Sequence, residues 1–474
     1  MASLTKRTII LIICRAANYG VMILSPIFLV RIFDIHAYGQ YREFMLYATL
    51  LSGLMEFTVT KNLIYFIPKY PDSERESVTH TTFLILVASL FGLIVVYLLK
   101  GLILARTSYD FISPLILYIF FFLNFEFFEN YWLGKKRTDY VLYFSSARIA
   151  VRTAAILAAA LISRSVMAVI WTLIVLEIIK CLFVSIILRK TLTKHLDRAL
   201  LKEQLRFIIP LGSAVTLSLI SYQLANLVIS IKMGVERLAL YHIAGQQIPI
   251  VNIVQSSAAD VLFPEMTQLG DAERLNLWRR ANIVFCFIAF PVYAVFSYYA
   301  PTYIGTLFTK QYLTAVPLFR IYLAIMLLQC FDVGSPLRAI NQNKYFIFGN
   351  VLSLAVNIGM MLLLFQSVGL TVPALSYVLG SLIGNMYCGS KILQFYRIPL
   401  KQLFLWKKIA TIILCIVIAL PALVVSRWIN MQPVVKAVSF SLLYLAVYYF
   451  AVRRFKIDEV EILVGKVTSK LRGA

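Results

Sequence analysis

The chain has 474 residues, of which 61% are hydrophobic and 14% charged, with a mean hydropathy of +0.83. A soluble domain carries roughly 25% charged residues. Here apolar runs of membrane-crossing length recur along the whole chain, which excludes a soluble fold and predicts a polytopic membrane protein. The net charge of +23 sits mostly in short loops between those runs, where membrane topology and lipid headgroups explain it and nucleic acid does not.

In chain order the apolar segments are 8–32, 41–66, 81–99, 111–133, 141–161, 167–188, 207–231, 239–263, 281–308, 316–333, 345–366, 370–393, 405–428 and 433–452. The expected fold class is all-α, with about fourteen transmembrane helices in two six-helix lobes plus two C-terminal helices. The lobes are 1–200 and 201–400; the added pair spans 401–452 and a cytoplasmic tail follows at 453–474. The N-terminus has a basic start and no small-residue cleavage site, so the first segment reads as a retained helix and not a signal peptide. Loop clusters such as Lys135-Lys136-Arg137, Arg189-Lys190 with Lys194, Arg198 and Lys202, and Lys401 with Lys407-Lys408 alternate with loops holding single cations. That asymmetry predicts both termini in the cytoplasm. Tyr38-Gly39-Gln40-Tyr41 and Leu238-Ala239-Leu240-Tyr241 open the second and eighth segments, as in a pair of parallel repeats. The stretch 265–280 carries Met266, Leu269, Leu275 and Trp278 near one face. It is expected either to lie on the membrane surface or to pack on protein, and the tail with Ile457, Val460, Val464, Val467 and Leu471 reads alike.

Charges inside the apolar segments carry the functional reading. A charge at membrane depth costs at least about 2.5–3.5 kcal/mol on insertion scales, so it faces a partner, a wet cavity or a cargo. Arg15 lies in the first segment and Lys61 towards the inner end of the second. Arg148 and Arg152 share one face of the fifth, and Arg320 lies near the outer end of the tenth. Guanidinium groups grip phosphate through a planar fork and ammonium groups as point charges, so a mixed set suits a pyrophosphate. Structural pairing is the competing use. Glu126 and Glu129 stand towards the inner end of the fourth segment, and Glu177 and Lys180 are three apart in the sixth, where they can pair. Glu56 is five residues before Lys61, off its helix face. The eighth segment carries His242, Gln246, Gln247, Asn252, Gln255, Ser256 and Asp260. Amides both donate and accept, as sugar hydroxyls require, although interhelical hydrogen bonding would use them too. The expected substrate-contacting set is Arg15, Lys61, Arg148, Arg152, Gln246, Gln247, Gln255 and Arg320.

Enzyme signatures are missing. The sequence has no phosphate-binding G-x-x-x-x-G-K-[ST] loop, no H-E-x-x-H or paired cysteines for zinc, and no long loop to hold a catalytic domain. No enzyme activity and no cofactor are expected. Cys14, Cys181, Cys286, Cys330, Cys388 and Cys415 all fall in apolar segments, and no disulfide is expected.

Three stretches resemble the polysaccharide transporter (Wzx-type flippase) branch of the multidrug/oligosaccharidyl-lipid/polysaccharide exporter superfamily. Residues 29–41 (LVRIFDIHAYGQY) are similar to that family's turn after the first helix. Ile231-Lys232-Met233-Gly234 through Ala244, followed by Phe263-Pro264, resembles its second-half counterpart. Ala300-Pro301-Thr302-Tyr303-Ile304 through Leu307-Phe308, Tyr312 and Ala315 resembles its "AP…LLFGxxYxxA" element. Asp34 and Thr309 stand where the family usually has glycine. Asn226 stands where the second-half helix usually has Asp, which tells against ion coupling at that position. The resemblance implies a two-lobed alternating-access flippase in the cell inner membrane, moving a lipid-linked oligosaccharide. The implied cargo carrier is undecaprenyl pyrophosphate, bearing an O-antigen, capsule or exopolysaccharide repeat unit. Membrane lipids, H+ or Na+ as coupling ion, and glycan polymerase and chain-length proteins are the implied partners. Two other readings compete. A multidrug or metabolite antiporter of the superfamily usually has twelve helices and an acidic cavity, and a membrane glycan polymerase or ligase needs a large outer loop.

Overall fold

A computed structural model describes residues 24–98, 100–101, 111–245, 265–340 and 342–461; Arg15, Gln246, Gln247 and Gln255 lie outside them. The described residues form helices and connecting turns, with no strand. Nine helical stretches among them are long and apolar enough to cross a membrane. The chain divides into two compact units, Met1–His242 and Ile243–Ala474.

In the first unit, residues 24–32 are helical and lead through Asp34 into α1, Ile35–Glu56. Asp34 keeps ordinary extended backbone and caps α1, its carboxylate accepting the Ala37 N–H at 2.7 Å, so no glycine is needed there. The segment predicted as one helix at 41–66 is broken. Phe57 and Thr58 adopt left-handed backbone (φ 44° and 59°), a 3-10 turn covers Val59–Lys61, and α2 runs Asn62–Lys69. After α3, Glu74–Leu98, the segment predicted at 111–133 is broken as well. α4, Ile112–Leu123, gives way at Asn124 and Phe125 (φ 64°) before α5, Phe128–Gly134. The pieces beyond the two breaks, α2 and α5, pack together around Leu63, Ile67, Phe127, Phe128 and Tyr131.

Helices α6, Thr138–Ser163, and α7, Val166–Leu188, run unbroken where the sequence placed them. α8, Arg198–Met233, starts on Asp197, whose carboxylate accepts the Ala199 and Leu200 N–H groups at 2.8 and 3.2 Å. It ends at Gly234, whose φ of 83° is left-handed territory that glycine enters without strain. α9, Val235–Ala244, follows. α7 packs on α4 and α6, while α1 packs on α3, α4 and α8. The two stretches that read as a repeat lie against each other. Gly39 sits on the Val235 carbonyl with no room for a Cβ, and the Tyr38 hydroxyl meets His242 Nδ1 at 3.1 Å.

The second unit contains α10, Asp271–Tyr298; α11, Ala300–Leu307; a 3-10 turn, Lys310–Ala315; α12, Val316–Gln329; and α13, Gly334–Ala339. α14, Asn343–Val368, α15, Thr371–Tyr396, α16, Trp406–Val425, and α17, Pro433–Arg454, complete it. Residues 271–280 are the opening turns of α10. Met266, Leu275 and Trp278 are buried with Val333, Leu337, Ile392 and Leu403, so the apolar face of this stretch packs on protein. In the tail, Ile457 and Val460 are buried too, and its further residues lie outside the described ones. α14 and α15 approach closely through Gly380 and Gly384, a small-xxx-small pair: a Cβ at Gly384 would stand 2.7 Å from the Gly349 carbonyl. Asn357 and Ser376 hydrogen-bond across the same pair at 2.7 Å.

Candidate functional site

A network of ionised side chains occupies the first unit at the α4–α5 break. Every helix end leaves carbonyls without intrahelical partners, and away from water these need donors. α7 supplies them. Lys180 Nζ donates to the Phe122 carbonyl at 2.8 Å, and Cys181 Sγ donates to the carbonyls of Phe121 (3.0 Å) and Asn124 (3.3 Å). Lys180 also meets Glu126 and Glu177, each at 2.9 Å. The i, i+3 pairing of Glu177 with Lys180 is the one the sequence offered.

From α6, Arg148 spreads its fork between Glu126 (3.0 Å) and Glu129 (2.8 Å). One turn on, Arg152 donates to the Tyr118 hydroxyl at 3.1 Å and stands 3.6 Å from Glu177. Lys180 and Glu177 are almost wholly buried, at 8% and 5% exposure, whereas Arg148 and Arg152 are partly open. Three cations, Arg148, Arg152 and Lys180, thus face three carboxylates, Glu126, Glu129 and Glu177. The network is charge-balanced. Such a network is held together by its pairing, since removing one member leaves another charge buried and uncompensated.

Of the residues the sequence nominated, Arg148 and Arg152 come together in this network. Lys61 lies in the 3-10 turn after α1, is exposed, and makes no salt bridge to a described residue; Glu56 beside it accepts from Thr60. Arg320 is on α12 in the second unit, where its Nε donates to the Ser297 carbonyl at 3.0 Å. His242, read as part of a polar cavity series, is in contact with Tyr38, with ring centroids 6.1 Å apart and edge to face.

One member of the network and one buried acid outside it were not singled out from the sequence. Tyr118 reads as one aromatic among many in an apolar run. Glu43 is buried in α1 and accepts from Ser230 of α8 at 2.6 Å. The adjacent charges Arg42-Glu43 inside an apolar segment were the signal available for it.

The fold and this buried network define an all-helical, multi-pass membrane protein. The polysaccharide biosynthesis protein family model matches residues 28–317, and the chain belongs to that family. Among curated proteins none matches. Its fold is similar to that of the lipid II flippase MurJ in an inward closed conformation, with a TM-score of 0.73, 15% identity, and coverage of 94% of this chain and 99% of that one. It is similar also to an inward-facing multidrug resistance MATE transporter of the MOP superfamily (TM-score 0.59, 14% identity, 80% and 95% covered). A MOP superfamily transporter from Pyrococcus furiosus shares the fold at a TM-score of 0.53 and 14% identity, with 83% and 96% covered.

Proposed function

We propose that this protein is a flippase that carries an undecaprenyl-pyrophosphate-linked oligosaccharide across the cytoplasmic membrane by alternating access. The observation that carries the reading is the conjunction of polysaccharide-biosynthesis family membership with a flippase-like fold over nearly the whole chain. Both termini face the cytoplasm in this reading. The lobes are 1–200 and 201–400, followed by the helix pair at 401–452 and the tail at 453–474. The protein acts without catalysing a covalent step; H+ or Na+ drives it, and glycan polymerase and chain-length proteins receive its cargo.

The proposed cargo contacts are Arg15, Lys61, Arg148, Arg152, Gln246, Gln247, Gln255 and Arg320. A pyrophosphate leaving water needs cations to offset its desolvation. Arg148 is partly open and already divides its fork between two carboxylates, so an arriving phosphate has to compete with Glu126 and Glu129 for it. The test is complementation of glycan export in cells lacking the transporter, with protein abundance followed in parallel. Restored export with cargo accumulating on the inner leaflet in the null cells supports flipping. Drug efflux without restored export replaces this reading with the antiporter.

A further inference from the structure

Apart from the charge network, the N-terminal unit has a second concentration of cations, at the end where α7 stops and α8 begins. Arg189, Lys190, Lys194, Arg198 and Lys202 are all exposed there. Several other cations of this unit's loops and helix ends are matched by acids, Lys69 with Glu203 at 2.7 Å, Lys135 with Glu74 at 2.9 Å and Arg137 with Asp139 at 3.3 Å, while Lys61, Lys136 and Arg164 stand singly without a salt bridge to a described residue. The five have no salt bridge to a described residue. Asp197 beside them is spent on capping α8, and Glu203 on Lys69.

The loop that presents them is pinned. Arg75 donates to the Lys190 carbonyl at 2.6 Å, and the Thr193 N–H donates to the Thr79 hydroxyl at 3.0 Å. Its placement along α7 decides what it meets. Leu182, Phe183, Ile186 and Ile187 form an exposed apolar stripe on α7, and that stripe runs directly into Arg189 and Lys190. We infer that the α7–α8 loop is a docking platform for anionic phospholipid headgroups, gripped by Arg189, Lys190 and Lys194 with Arg198 and Lys202 beside them. Cations in this position at the end of a membrane helix attract acidic lipid at roughly fivefold in affinity per charge.

The experiment uses the full-length protein in nanodiscs of phosphatidylcholine with and without phosphatidylglycerol, with retained lipid read by native mass spectrometry. Phosphatidylglycerol is expected to be retained over phosphatidylcholine, less so as salt rises. Joint Arg189→Gln, Lys190→Gln and Lys194→Gln substitution is expected to weaken that retention about a hundredfold. The charge-preserving pair Arg189→Lys and Lys190→Arg is expected to keep it. Wild-type retention in the neutralised variant overturns the proposal. So does binding of inorganic phosphate at these residues with no lipid preference. Should the neutralised variant not fold, the native protein decides: retention indifferent to salt, or no preference for phosphatidylglycerol, overturns it. Lipid binding is measured independently of glycan export, so the proposal stands or falls apart from the flippase reading.

Discussion

Lys180 of α7 reaches the main-chain carbonyl of Phe122, 2.8 Å away, at the point where helix α4 comes to its end. The same ammonium is shared by Glu126 and Glu177. One side chain therefore satisfies a broken helix and joins two carboxylates, which makes the break and the charge network a single structure. Discontinuous helices lined by charged groups are where transporters build their binding sites.

Replacing Lys180 by Met removes a buried ammonium that serves three acceptors. Glu177 then keeps Arg152 at 3.6 Å, so the loss is expected to fall below the roughly 3–5 kcal/mol of a fully unpaired buried charge. Thermal unfolding of the purified protein in detergent measures this, and adding Glu177→Gln is expected to recover part of the loss. A variant as stable as the native chain would show that Lys180 does not hold the network together.

Arg148→Ala distinguishes its two carboxylates. Glu126 keeps Lys180 as partner, while Glu129 has Arg148 as its ion partner among the described residues. Lowered abundance, on a destabilisation of about 2 kcal/mol, is expected. Glu129→Gln is expected to restore abundance better than Glu126→Gln. Export then reads the cargo role: a rescued protein that still exports poorly supports phosphate contact, and full export at full abundance speaks against it.

Gly384→Leu drives a side chain into the Gly349 carbonyl across the α14–α15 contact. Overpacking of this kind costs about 1–3 kcal/mol. Reduced yield and a lowered melting temperature are the expected outcome. Gly359 on α14, with open space around it, is the control position, where Gly→Ala is expected to be tolerated.

Thr309 occupies φ 74°, ψ 163°, backbone that glycine takes freely and a β-branched residue takes at a cost of order 1–3 kcal/mol. Glycine's greater freedom in the unfolded chain takes back roughly 0.5–1 kcal/mol. Thr309→Gly is expected to stabilise the protein by about 1 kcal/mol, read as a raised melting temperature.

The Lys69–Glu203 pair sets a pH dependence. The Lys69 hydrogen bond holds Glu203 below the usual carboxylate range, and Glu203 in turn raises Lys69. A lowered acid contributes stability above its unfolded value, near pH 4.3, and loses it as pH falls through the folded value. The raised Lys contributes below its unfolded value, near pH 10.4, and loses it as pH rises through the folded one. Both groups are exposed, so the effect is small. The melting-temperature gap between the native chain and Glu203→Gln is expected to be constant at neutral pH and to close in acid. A gap that widens in acid contradicts the pairing.

The sequence by itself determined the class of protein. Runs such as 166–188 are too long and too apolar for any solvent but a bilayer, and that solvent requires helices because nothing else in it satisfies the backbone. It determined local pairing as well, since Glu177 and Lys180 share a helix face by spacing alone. Tertiary structure decided where helices break and which charges meet. No proline or glycine stands at Phe57-Thr58 or Asn124-Phe125, and hydropathy runs on across both. Left-handed backbone at those points is supported by neighbours distant in sequence: Gly212 of α8, which has no room for a Cβ beside the Phe57 carbonyl, and the donors Lys180 and Cys181 of α7. For Arg148 and Arg152 the sequence left cargo contact and pairing with nearby acids both open. Packing α6 against α5 and α7 brought Glu126 and Glu129 to Arg148 and Glu177 to Arg152, so the pairing is a property of the fold that spacing could only offer.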